Sequence, residues 1–109
     1  MEAPPEVPRR DKTLLRGRHP FDGAVVANLS PALADEVGMS HTTTGVIVLE
    51  LARTKNAARL GLEPGDIVRK VNGEPVQSVN HLVSLIKDPA SGWLIALERR
   101  GRDMNLVVR

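Results

Sequence analysis

The stretch Gly61-Leu62-Glu63-Pro64-Gly65-Asp66-Ile67-Val68-Arg69-Lys70-Val71-Asn72-Gly73-Glu74-Pro75-Val76 constrains this chain most. Pro64-Gly65 pre-sets a turn, and Asn72-Gly73 is the favoured two-residue hairpin connection because both of its positions tolerate positive φ. Between them, Asp66 to Val71 is too short for a stable helix and rich in β-branched residues, so it is read as a strand. Turns spaced this closely commit the region to short antiparallel strands.

The flanking segments extend that pattern. Asp22-Gly23 is a turn feeding a strand over Ala24 to Leu29, and Ser30-Pro31 places a cap residue and a first-turn proline before a short helix, Ala32 to Val37, ended by Gly38. Gly45 to Leu51 reads as a buried central strand, and Asn56 to Leu60 as a helix closed by Gly61. Ser78 caps the longest helix, Val79 to Lys87, whose apolar positions are too many for one narrow stripe. Asp88-Pro89-Ala90-Ser91-Gly92 stops that helix. Trp93 to Arg99 and Asn105 to Val108 form a last hairpin around Arg100-Gly101-Arg102-Asp103. Short strands with two or three small helices give an α+β fold, a partly open antiparallel barrel capped by helices.

The chain has 109 residues, enough for one domain with its own core. There is no Cys, which excludes disulfides, thiolate zinc and a cysteine nucleophile. Phe21 and Trp93 are the only aromatics, too few for base stacking, and Trp93 is expected to be a packing residue. The formal net charge of +2 lies entirely before residue 21, where Arg9, Arg10, Lys12, Arg16 and Arg18 outnumber Glu2, Glu6 and Asp11. Residues 1–17 are therefore read as a Pro-rich basic linker, with Thr13-Leu14-Leu15 left as a candidate edge strand. A nucleic-acid-binding face is not expected. No apolar run approaches the ~20 residues of a membrane span, and the N-terminus lacks the pattern of a signal peptide. The chain is taken as a fragment of a longer protein.

Chemistry-bearing motifs are missing. His19, His41 and His81 stand apart from one another and from paired carboxylates, so neither a metal site nor a cofactor site is expected. Neither a phosphate loop, a dinucleotide fingerprint nor a nucleophile elbow occurs. Ser30 and Ser78 are expected as helix caps, and Asp66 as a turn stabiliser.

The run from Ala57 to Val76 resembles the signature of bacterial-type PDZ domains, in which an Ala-Ala helix leads into a Gly-Leu-x-x-Gly-Asp strand and an Asn-Gly turn. His19 to Ala34 is similar to the start of the second, C-terminal PDZ domain of the HtrA/Do (Deg) family of periplasmic serine endoproteases. This resemblance covers residues 18–109 and implies a PDZ-like, permuted barrel of five to six strands. It implies no catalysis by this piece, because the family's protease domain has no counterpart here. It also implies a periplasmic location, partners in an attached protease, a first PDZ domain and unfolded substrates, and oligomerisation of the full-length protein.

The resemblance implies a groove between the strand from Ala24 and the helix Val79 to Lys87, where a C-terminal or extended peptide adds as a strand. Phe21, Asp22, Gly23, Ala24, Val25 and Val26 would form the loop and strand side. The amides of Asp22, Gly23 and Ala24 would hold a terminal carboxylate, and Val79, Val83 and Ile86 would receive the last side chain. Leu82 and Leu85 go to the core. The expectation needs free amides and an open sheet margin. Asp22 departs from the family's apolar pattern and, at about 5 Å and an effective dielectric near 20, would repel a carboxylate by roughly 3 kcal/mol. Gly23→Val is expected to abolish binding while sparing the fold. The alternative is an assembly or scaffold domain with a poorly competent groove.

Overall fold

The turn at Asn72-Gly73 forms as expected, both residues lying at positive φ (51° and 85°). The computed structural model describes residues 8–40, 42–87 and 92–108; His41, the helix stop at Asp88 to Ser91 and the first seven residues of the expected linker fall outside them. Within the described residues, the strands are β1 (Thr13–Leu14), β2 (Ala24–Asn28), β3 (Val46–Leu51), β4 (Ile67–Val71), β5 (Glu74–Pro75), β6 (Trp93–Arg99) and β7 (Arg102–Val108). The helices are α1 (Pro31–Glu36), α2 (Asn56–Arg59) and α3 (Val79–Lys87). All pairings are antiparallel, in the order β1-β2-β3-β4-β6-β7 with β5 beside β4, and the sheet does not close on itself. This is the expected α+β, PDZ-like architecture, with β1 and β5 as two-residue additions to its five longer strands.

Two apolar clusters lie on opposite faces of the sheet. The larger joins Ala24 and Val26 of β2 to Val79, Leu82 and Ile86 of α3. The smaller holds Ala27, Leu29, Leu33, Ala34, Ile47 and Ile67 beneath α1. Strand β2 is thus buried on both faces, which is how successive side chains of a central strand behave when each face is covered. The Ser30 hydroxyl accepts from the Leu33 amide at 3.1 Å and caps α1. Ser78 does the same for His81 at the start of α3, also at 3.1 Å.

The final hairpin is longer than the sequence suggests. Arg100 (φ 54°) and Gly101 (φ 79°) make the turn alone, so Arg99 pairs with Arg102 and β7 begins at Arg102 rather than at Asn105. Two consecutive left-handed residues give the turn whose twist matches the flanking strands.

Asp66 is fully buried at the start of β4. Its Oδ1 accepts from Arg99 Nε at 2.7 Å, and its Oδ2 accepts from Arg99 Nη2 at 2.8 Å and from the Glu63 amide at 2.9 Å. Arg99 also donates to the Gly61 carbonyl at 2.7 Å and pairs with Glu63 at 2.8 Å. The Asp66 hydrogen bonds push the guanidinium pKa above its ordinary value against opposing desolvation, with the Asp66 and Glu63 charges adding to the rise. One carboxylate thereby ties the Pro-Gly turn to the end of β6.

Candidate functional site

The expected groove is built from three pieces of chain: the turn Phe21 to Ala24, strand β2 and helix α3. The Ala24 amide donates to the Phe21 carbonyl at 3.0 Å, closing a four-residue turn with Gly23 (φ 89°) at its third position. That is the place where a type II turn requires positive φ. The Phe21 side chain is completely buried and anchors the turn in the larger cluster. Val25 is half-buried on β2, whereas Ala24 and Val26 are fully buried.

The margin of β2 is not open. Strand β1 runs antiparallel along it, with Thr13 opposite Val26 and Leu14 opposite Val25. The Leu15 amide donates to the Ala24 carbonyl at 2.8 Å, and the Gly23 amide donates to the Leu15 carbonyl at 2.8 Å. The Asp22 amide reaches the His19 carbonyl at 3.3 Å. All three amides expected to cradle a carboxylate are therefore used within the chain. The expectation of free donors and an exposed edge is corrected on this point: the segment read as a linker supplies the strand that fills it.

Leu15 explains why the segment stays there. It is buried (4% exposed) in the cluster that contains Phe21, Ala24, Val26, Val79 and Ile86, while the adjacent Leu14 points outward (43%). Burying one leucine contributes roughly 1.5–3 kcal/mol, enough to hold a short strand whose backbone donors and acceptors are also paired. Asn28 fixes the other end. Its amide donates to the Arg10 carbonyl at 2.7 Å, its Nδ2 to the Arg9 carbonyl at 2.9 Å, and its Oδ1 accepts from the Val79 amide at 2.8 Å. Arg10 forms an ion pair with Glu36 of α1.

The helix side also differs from expectation. Val79 and Ile86 are buried in the core beside Leu82, and of the three proposed contacts only Val83 is exposed, at 38%. What remains beside α3 is a cleft of about 560 Å³ between the helix and residues 13–19, lined by Leu14, Arg16, His19, Val83, Ile86 and Lys87 among others. The Asp22 carboxylate is not aimed at an incoming ligand, because its Oδ1 accepts from the Gly17 amide at 3.2 Å. His19 braces the same loop. One ring nitrogen, Nδ1, accepts from the Phe21 amide at 3.1 Å, and Nε2 lies 2.9 Å from the Arg16 carbonyl, which fixes the tautomer with hydrogen on Nε2. Trp93 is buried as a packing residue.

Thr13-Leu14-Leu15 pairs as the expected edge strand, whereas Asn28 is a residue that the sequence pattern did not single out. A polar residue at the end of an apolar strand was the available signal for Asn28; its partners, 19 and 51 residues away, were not.

Comparison with known proteins places this geometry. The family description "PDZ domain" matches residues 55–99. A probable periplasmic serine endoprotease DegP-like from Halomonas elongata is 33% identical over 102 residues, covering 92% of this chain and 21% of its own length. The chain spans about a fifth of such relatives. Among solved structures, the HtrA-type protease AlgW with decapeptide aligns at TM-score 0.71 and 28% identity, over 80% of this chain and 27% of that one. The HtrA3 PDZ domain bound to a phage-derived ligand aligns at TM-score 0.66 and 28% identity, over 79% of each chain.

Proposed function

We propose that this chain, a PDZ domain homologous to those of HtrA/DegP serine proteases, is a peptide-binding module that takes C-terminal or extended segments by strand addition between β2 and α3. In that role it would feed or regulate an attached protease, in the periplasm named for its DegP-like relatives. The chain is a PDZ domain without the protease domain, and the catalytic step would belong to another part of the parent protein. The observation that carries the reading is β1 itself. An extended segment lies antiparallel on β2 with an aliphatic side chain buried beside α3 and a loop amide on its last carbonyl. The fold therefore has the shape and the hydrogen-bonding pattern that strand addition requires. The solved relatives with a decapeptide and a phage-derived ligand support the same use of the fold.

A second reading rests on the covered margin. If β1 never leaves, the domain serves as an assembly or scaffold element making interdomain or oligomer contacts. Titration of the chain with peptides ending in Val, Leu or Phe, followed by amide chemical shifts, separates the two. The proposal expects weak, saturable binding that perturbs Val25, Val26 and Val83 and is weakened by amidating the peptide terminus. No shift at about millimolar peptide, a threshold near −4 kcal/mol of binding, together with concentration-dependent self-association, would favour the scaffold.

A further inference from the structure

We infer that Arg9 to Leu15 is a built-in ligand of this groove, one that competes with foreign peptides and whose side-chain pattern reports what the groove accepts. The inference rests on the β2–α3 cleft being the peptide site. Within the segment only Leu15 is buried; Leu14 is exposed, and Arg9, Asp11 and Lys12 have the polar character of a connector. The segment docks through the Leu15 side chain with its two main-chain bonds to Gly23 and Ala24, through the Asn28 clamp on the carbonyls of Arg9 and Arg10, and through the Arg10–Glu36 ion pair. Sequence of this kind has no reason to adopt strand geometry alone, so the groove imposes it.

Two properties of the foreign ligand follow. It carries a leucine-sized aliphatic side chain at the position aligned with Ala24, because Leu15 fills that place without opening the cluster. It need not end there, because the chain passes on from Leu15 through Arg16 and Gly17 while a carbonyl, not a carboxylate, receives the Gly23 amide. The ligand class is therefore an extended apolar segment, internal or terminal.

A tethered segment is presented at a local concentration on the order of millimolar, so a foreign copy of equal intrinsic affinity is excluded until it approaches that level. Apparent affinity scales with the fraction of molecules whose groove is empty. Releasing β1 should accordingly tighten foreign binding on the order of 10–100-fold.

The test uses the full chain and a labelled synthetic peptide with the sequence of residues 9–15, followed by fluorescence anisotropy. Leu15→Asp removes the buried anchor. Thr13→Pro, in case the first variant does not fold, interrupts the paired strand without touching the core, and Val107→Asp, at an exposed position of β7 outside the groove, is the control. The inference expects Leu15→Asp or Thr13→Pro to bind the peptide at least tenfold more tightly than wild type, with Val107→Asp unchanged. Equal or weaker binding by both releasing variants would overturn it while leaving peptide binding intact, because β1 would then be neutral or part of the site. Absence of binding in every variant, with the Gly23 amide newly exposed to exchange, would overturn the inference and the peptide-binding reading together.

Discussion

Replacing Asp66 by alanine is expected to destabilise the fold by about 3–5 kcal/mol, the cost of stripping one partner from a buried ion pair. The substitution orphans the Glu63 amide and leaves the Arg99 guanidinium, whose side chain is 19% exposed, facing a void where Asp66 Oδ1 and Oδ2 had been. Glu63 cannot take over, since its carboxylate already pairs with Arg99 from the solvent side and is 54% exposed. Thermal unfolding of the two chains measures the loss, each kcal/mol lowering the midpoint by roughly 4–8 °C in a domain of this size. Glu63→Ala is the control and should cost under about 1 kcal/mol, as exposed pairs do. Similar losses for both would mean that the buried carboxylate does no more than the exposed one.

Gly23→Val should lower stability by about 2–5 kcal/mol as well as disrupting the groove, which corrects the expectation that it spares the fold. A side chain at φ 89° carries the strain of left-handed backbone, roughly 1–2 kcal/mol. Its first atom would sit 2.4 Å from the Lys55 Cβ and 2.7 Å from the Lys55 Cγ, with Ala52 Cβ at 3.3 Å. Those contacts involve the root of the lysine rather than its flexible end, so the α2 approach must shift, an overpacking cost of about 1–3 kcal/mol. The same residue donates its amide to Leu15 and accepts from the Ala52 amide at 2.9 Å, so any shift loosens β1 too. Denaturant melts of Gly23→Val beside Gly38→Val separate these terms. A side chain at Gly38 meets nothing within 4 Å although φ is also positive, and equal losses at the two sites would remove the packing part of the argument.

Local chemistry explains what was legible in the sequence. Asn72-Gly73, Ser30-Pro31 and Ser78 announce their structures because a turn or a helix cap is decided by residues a few positions apart. The hairpin at Arg100-Gly101 was placed too wide because arginine seldom accepts positive φ, and only the pairing on either side forces it there. The α3 faces were half legible. Periodicity grouped Val79, Val83 and Ile86, but which of them points to solvent depends on the strand lying beside the helix. That strand was legible as a candidate edge strand, but its place over the groove was not. Thr13-Leu14-Leu15 carries one leucine's worth of reason to dock, and the rest comes from Gly23, Ala24 and Asn28, which no local pattern joins to it.

Hydrogen exchange at the Gly23 and Leu15 amides tests most directly whether the chain's own segment holds the β2 margin. The account predicts that both exchange slowly and together, by about 100-fold or more relative to an unstructured chain, since they are lost in one local opening. Exchange of Gly23 at the unprotected rate, in a chain whose β3 and β4 amides remain protected, would contradict it.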